Sequence, residues 1–227
     1  MAEENNVSGK TREMSRAAVE SNRNIRNEVR DIVVGTLVER HLDTDNVKRV
    51  IDAVLEGAME GAPEGEKDLL EALKETVDGL DEGLAKAAEA SKLAIEEASS
   101  RVDEFSENDI KRALNDLKDL EGLFTEAVAD FAKAGKATTK GALNDLVTHT
   151  GRTGTATGKS VADALGALQG PLSLTEHLRL SDIEKATRAG VATIASIASG
   201  ILDGIADSMR HEKKPEAESE GEADDKE

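Results

Sequence analysis

The part of this sequence whose residue types come closest to a reactive site is GTATGKS, residues 154–160. Phosphate-binding loops place four residues between two glycines and follow a buried strand, so that backbone amides surround the phosphates. Here three residues separate Gly154 from Gly158, and no β-rich run precedes them. We therefore interpret the stretch as a solvated linker, and we expect no nucleotide and no cofactor.

The remaining reactive side chains do not form a recognisable set. The histidines are scattered, without a second ligand at metal-binding spacing: His41, His149, His177 and His211. The carboxylates follow the exposed faces of predicted helices, and no pair has surroundings that would separate its pKa values. The sequence therefore predicts no metal site, no catalytic residue and no enzymatic activity.

Composition narrows the choice of partners. The formal net charge is −18, which makes nucleic acid a poor partner because binding to phosphates requires neutralising cations. Cys, Trp and Tyr are absent, and three phenylalanines are the only aromatic residues. The absence of cysteine suits a reducing cytoplasm, and the polar N-terminus has no apolar segment of the kind that signal peptides carry. Without large aromatic side chains, we expect helices packed side by side through aliphatic residues.

Helical periodicity dominates the centre of the chain. Apolar and small residues from Leu69 to Phe105 recur on average about every 3.6 residues, the period of an undistorted α-helix. The sequence predicts an all-α protein whose long amphipathic helices form an elongated bundle or coiled-coil-like arrangement. Its predicted segments are a disordered terminus (1–11), an N-terminal helical hairpin (12–62), long acidic helices (63–147), a Gly/Thr-rich joint with a short helix (148–180), an aliphatic helix (181–211) and a disordered acidic tail (212–227).

The C-terminal helix is the best candidate for a binding element. Ser181 and Glu184 form a capping box at its predicted start. The uncharged run between Arg188 and Asp203 is too short to span a bilayer. Such a helix could bind an apolar surface, or it could be buried in the bundle, with Gly200 and Gly204 allowing a neighbouring helix to approach closely. The energy of burying its aliphatic residues does not distinguish these two interpretations.

Three stretches carry a resemblance to a known family: GLAKAAEASKLAIEEASSRVDEF, DLKDLEGLFTEAVADFAKAG and GRTGTATGKSVADAL. Together they resemble phasins and phasin-like helical proteins of bacteria, over roughly Leu69 to Leu168. The resemblance implies a mostly helical, often oligomeric protein that coats polyhydroxyalkanoate granules and has no catalytic residues.

Our first hypothesis is a non-enzymatic, phasin-like protein that coats a hydrophobic storage granule or similar apolar surface in the cytoplasm. The predicted surface-binding residues are Val191, Ile194, Ile197, Ile201 and Ile205, aided by Leu80, Leu84 and Phe105. The alternative is a soluble, homo-oligomeric helical scaffold or adaptor, in which the same apolar stripes pair with each other and no surface is bound.

Overall fold

A computed structural model of the chain describes residues 2–38, 43–100, 105, 107–134, 141, 147–148, 154–175 and 189–212. Every regular element within these ranges is an α-helix, which confirms the predicted all-α class. Several sequence predictions lie outside the described residues: His41, His149, His177, the capping box at Ser181 and the acidic tail from residue 213 onward.

The N-terminal region holds three helices where the apolar pattern predicted a hairpin of two. Helix α1 spans Ala2–Ser21 and α2 spans Ile25–Val38, so the chain is helical where a disordered terminus was expected. The two helices are separated at Asn22 and Asn24, which have φ angles of 49° and 50°. Asparagine tolerates this left-handed region better than most residues, because its short polar side chain can hydrogen-bond locally. Apolar periodicity continues across the break, and periodicity alone therefore concealed it.

Helix α3 spans Thr44–Glu60 and begins as the sequence predicted. Asp43 is its N-cap, and one carboxylate oxygen accepts a hydrogen bond of 2.8 Å from the backbone N–H of Asn46. At the other end, Gly61 followed by Pro63 predicts a left-handed C-cap, and the structure differs. Gly61 has φ −87° and ψ −2°, a right-handed conformation that other residues also adopt.

Two tight helix crossings explain why glycine is needed at four positions. On α3, a Cβ at Gly57 or Gly61 would collide with the backbone carbonyls of Arg12 and Arg16 on α1. On α4, a Cβ at Gly79 would meet the α2 backbone, and one at Gly83 would lie 2.7 Å from Cβ of Val33. Both crossings use a Gly-x-x-x-Gly pair, which brings two helix backbones close together. At the first crossing, Ser15 Oγ also donates a 2.8 Å hydrogen bond to the carbonyl of Val54.

The longest described helix, α4 (Glu66–Ser100), is the central packing element. It contacts α2, α3 and α5 (Glu107–Ala134), so the chain folds back after α4 rather than continuing straight. Its predicted apolar stripe is buried at nearly every described position, as in Leu73, Val77, Ala94 and Ala98. Alanine replaces leucine along the second half of the buried face, which therefore packs closely but buries little area per residue.

Two further helices complete the described fold, and both pack on α4 and α5. Helix α6 spans Ala156–Thr175. Glycine followed by proline commonly ends a helix, but α6 continues through Gly170 and Pro171. Helix α7 spans Ala189–Glu212 and also contacts α2. None of the described helices is both long and apolar enough to cross a membrane.

Candidate functional site

The start of α6 is held on α4 by a single carboxylate. Asp81 Oδ2 accepts a hydrogen bond of 2.6 Å from the backbone N–H of Ala156, and Oδ1 accepts one of 2.8 Å from that of Thr157. In return, Thr157 Oγ1 donates to the backbone carbonyl of Asp81 at 3.0 Å. The free N–H groups at a helix N-terminus favour an anion, and α4 supplies one from within the chain. We call these contacts the Asp81 latch.

A second carboxylate and a local cap complete this junction. Thr155 Oγ1 accepts a 2.7 Å hydrogen bond from the backbone N–H of Gly158 and donates one of 3.1 Å to Glu121 on α5. Thr155 and Thr157 are buried, so the expectation of a solvated linker is corrected. The amide groups that would bind a phosphate in a true phosphate-binding loop are already occupied here by the chain's own oxygen atoms.

Other titratable groups are perturbed only locally. Burial raises the pKa of Asp116 on α5, while a 3.2 Å hydrogen bond from Thr44 Oγ1 and the nearby Arg112 partly counteract it. At Asp130, a hydrogen bond from Lys133 lowers the pKa. Among the described residues, no group of three or more His, Cys, Asp or Glu side chains could hold a metal ion. These groups can take up or release protons and form ion pairs.

An open cavity of about 290 Å³ lies between the α1–α2 turn and the start of α4. Its polar lining is acidic and amide-bearing, and its residues are Asn22, Asn24, Ile25, Asp68, Glu71, Ala72 and Glu75. The three carboxylates disfavour an anionic ligand.

The structure places three of the predicted surface-binding residues in the core. Leu80 and Leu84 are 0% exposed and Phe105 is 5% exposed. They pack against residues of the other helices and, in this fold, present no side chain to an external surface. The physical reason is that α4 is surrounded by neighbouring helices, which sequence periodicity could not show.

The predicted binding residues of α7 lie in a different environment. The structure describes its side chains from Ile197 to Arg210, so Val191 and Ile194 can be placed on the helix backbone alone. The buried side chains are Ala198, Leu202 and Ala206, which we call the core row. The bulkier Ile197, Ile201 and Ile205, which we call the isoleucine row, are only partly buried at the edge of the core.

Within the described part of the chain, no other helix packs against Gly200 or Gly204. Both are exposed, and a side chain added at either would meet no atom within 4 Å. The close approach that the sequence predicted for this pair occurs instead at Gly57, Gly61 and the α4 glycines. The same Gly-x-x-x-Gly pattern is present at those two pairs in the sequence.

No local sequence pattern predicts the Asp81 latch, because Asp81 and Thr157 are 76 residues apart.

The chain belongs to the DUF6781 family, described as a family of unknown function, whose sequence model matches residues 1–211. The match ends within α7, so it covers the described helices almost completely and leaves the acidic tail outside. No curated protein and no solved structure matches the chain.

Proposed function

We propose that the protein is a non-enzymatic, phasin-like amphipathic protein that coats a hydrophobic storage granule or similar apolar surface. In this proposal, α7 makes the contact through the isoleucine row. The observation that carries it is the packing of this helix, which buries the core row fully and leaves the isoleucine row only partly buried. The three isoleucines therefore have apolar surface left for a further contact.

The energy available to such a contact is substantial. Burying an aliphatic side chain of this size completely is worth about 1.5–3 kcal/mol, so each partly exposed isoleucine retains a fraction of that gain. Lifting α7 from the bundle would expose Leu202 and the buried part of the isoleucine row, and an apolar surface would cover these same side chains again. Burial of these side chains against an apolar surface can therefore replace their burial in the bundle.

The rest of the chain suits the outside of a coated particle. Its net charge is −18, and acidic surfaces of like sign keep particles apart. A cytoplasmic location, where storage granules form, agrees with the absence of cysteine.

The test is binding of the purified protein to apolar particles, measured by co-sedimentation. Replacing Ile197 and Ile201 together by Asp should abolish pelleting, because carboxylates cannot enter an apolar phase without a large desolvation penalty. The matched control replaces Met14 and Leu93 by Asp. These side chains lie on α1 and α4, are 41% and 45% exposed, and add the same charge when replaced.

Pelleting of the control should equal that of the wild type, with circular dichroism showing that both variants remain helical. If the α7 variant pellets normally, or if both variants lose binding equally, α7 is not the contact.

A soluble homo-oligomeric scaffold or adaptor is the second candidate, and the burial of Leu80, Leu84 and Phe105 favours it. Large apolar side chains scattered singly on the surface, such as Met14 and Leu93, are usual in soluble proteins and need no partner. This candidate predicts a defined oligomer by light scattering and no pelleting with apolar particles.

A further inference from the structure

We infer that the surface bound by α7 is uncharged, and that an anionic lipid bilayer is not its target; this inference rests on the proposed function. The basis is the order of side chains around the described part of α7. On a helix, residues three and four positions apart are neighbours, so each row of i, i+4 residues lies beside the row three positions later.

The rows pass from core to solvent in a regular order. Beside the core row lies the isoleucine row, and beside that lies Gly200, Gly204 and Ser208, which we call the glycine row. All three members of the glycine row are exposed. The next row contains the exposed carboxylates of Asp203 and Asp207. The exposed side of the isoleucine row is therefore bordered by residues that carry no charge and, at the two glycines, no side chain.

This arrangement lets a flat apolar surface reach the isoleucines. A Cβ built at Gly200 or Gly204 would meet no described atom within 4 Å apart from the nearby backbone of α7 itself, so no described side chain along that edge holds the surface away. Any longer side chain at these positions would stand between the isoleucines and the surface. Exposed glycines beside a partly buried apolar row thus suit contact with an external surface.

Charge excludes an anionic membrane as that partner. Helices that bind anionic lipids carry Lys and Arg on the polar face beside their apolar face. Here the row beyond the glycines is acidic, and Arg210 is engaged by Asp207 at 2.8 Å. Because the whole chain carries −18, anionic head groups would repel both the acidic row beside the binding face and the body behind it. An apolar phase without ionised groups lacks this repulsion.

The experiment compares one particle in two forms: bare polyhydroxybutyrate particles, and the same particles coated with phosphatidylglycerol. At low salt, the wild-type protein should bind the bare form at least about tenfold more tightly, since screening is then weakest. Equal or tighter binding to the coated form would overturn the inference while leaving surface binding itself intact. Binding to neither form would remove the proposed function and this inference with it.

A matched pair of variants tests the face itself. Gly200→Asp with Gly204→Asp should weaken binding to the bare particles by about tenfold or more, because it places carboxylates beside the isoleucines. Gly122→Asp with Gly166→Asp makes the same chemical change on α5 and α6, where both glycines are also exposed with no atom within 4 Å. This second pair should bind like the wild type. Equal affinities for the two pairs would overturn the inference, and circular dichroism checks that both fold.

Discussion

Helices α6 and α7 both pack on α4, yet they are held there by different forces. The start of α6 is fixed by the Asp81 latch, whose hydrogen bonds are directional and link particular atoms of the two helices. The described contacts of α7 with the core come from apolar side chains: the core row, with the partly buried isoleucine row and Met209 beside it. Apolar contact is non-directional and is nearly as favourable against another apolar body.

The difference shows where the bundle can change without unfolding. Moving α6 would break several hydrogen bonds and expose the buried Thr157, whereas moving α7 would expose the core row and the buried part of the isoleucine row. Regions held by few large apolar contacts open at a lower free energy than the rest of a domain. We therefore expect α7 to exchange partners and α6 to remain in place.

The largest expected effect comes from removing the one large side chain of the core row. Leu202→Ala should destabilise the attachment of α7 by about 2–5 kcal/mol, because it deletes buried methyl groups and leaves a cavity. Leu168→Ala on α6 is the matched control, since both leucines are 0% exposed.

Hydrogen exchange should show faster exchange confined to α7 in the first variant. The second variant should instead lower the urea midpoint of the whole bundle. If Leu202→Ala speeds exchange equally in every helix, α7 is not a separately opening unit and the contrast between the two helices fails.

A smaller effect should follow from cutting the Asp81 latch. Asp81→Ala leaves two N–H groups at the α6 start without their protein acceptor, and should cost about 0.5–2 kcal/mol of stability, the range seen for lost helix caps. Asp81→Asn keeps one oxygen acceptor and should lose less. Amide exchange of Ala156 and Thr157 reports the change directly, and unchanged exchange in the alanine variant would show that the latch does not hold α6.

The smallest effect is expected at Asp116, whose carboxylate does not cap a helix start as that of Asp81 does. Burial raises the pKa of Asp116, so the folded state binds this proton more tightly than the unfolded state. The stabilisation from this group is therefore complete below the ordinary pKa of 3.8 and is lost as the pH rises through the folded-state pKa.

Asp116→Asn should accordingly raise the melting temperature at pH 7, and the advantage over the wild type should shrink as the pH falls through the folded-state pKa towards 3.8. Thr44 can still donate its hydrogen bond to the amide oxygen of asparagine. A lower melting temperature for the variant at pH 7 would show that the ionised carboxylate is stabilising, and Asp116 would then resemble Asp81.

Much of the local structure could be predicted because its causes lie within a few residues. The N-cap at Asp43, the stripe of α4 and the helical class follow from capping and periodicity, which act over one or two turns. The break at Asn22 and Asn24 was missed because the apolar pattern continues through it. Among the predicted binding residues, the pattern could not separate Leu80, which is buried, from Ile201, which is at the edge, since both lie on apolar faces.

By itself, the sequence determined that the chain forms amphipathic helices, where one of them is capped, and which apolar stripe α4 buries, because these depend on neighbours in the chain. Only the tertiary structure decided which Gly-x-x-x-Gly pairs bring helices together, that Asp81 occupies the start of α6, and which row of α7 faces outward. These outcomes depend on which helices become neighbours in space, and contacts between residues far apart in sequence leave no periodic trace in it.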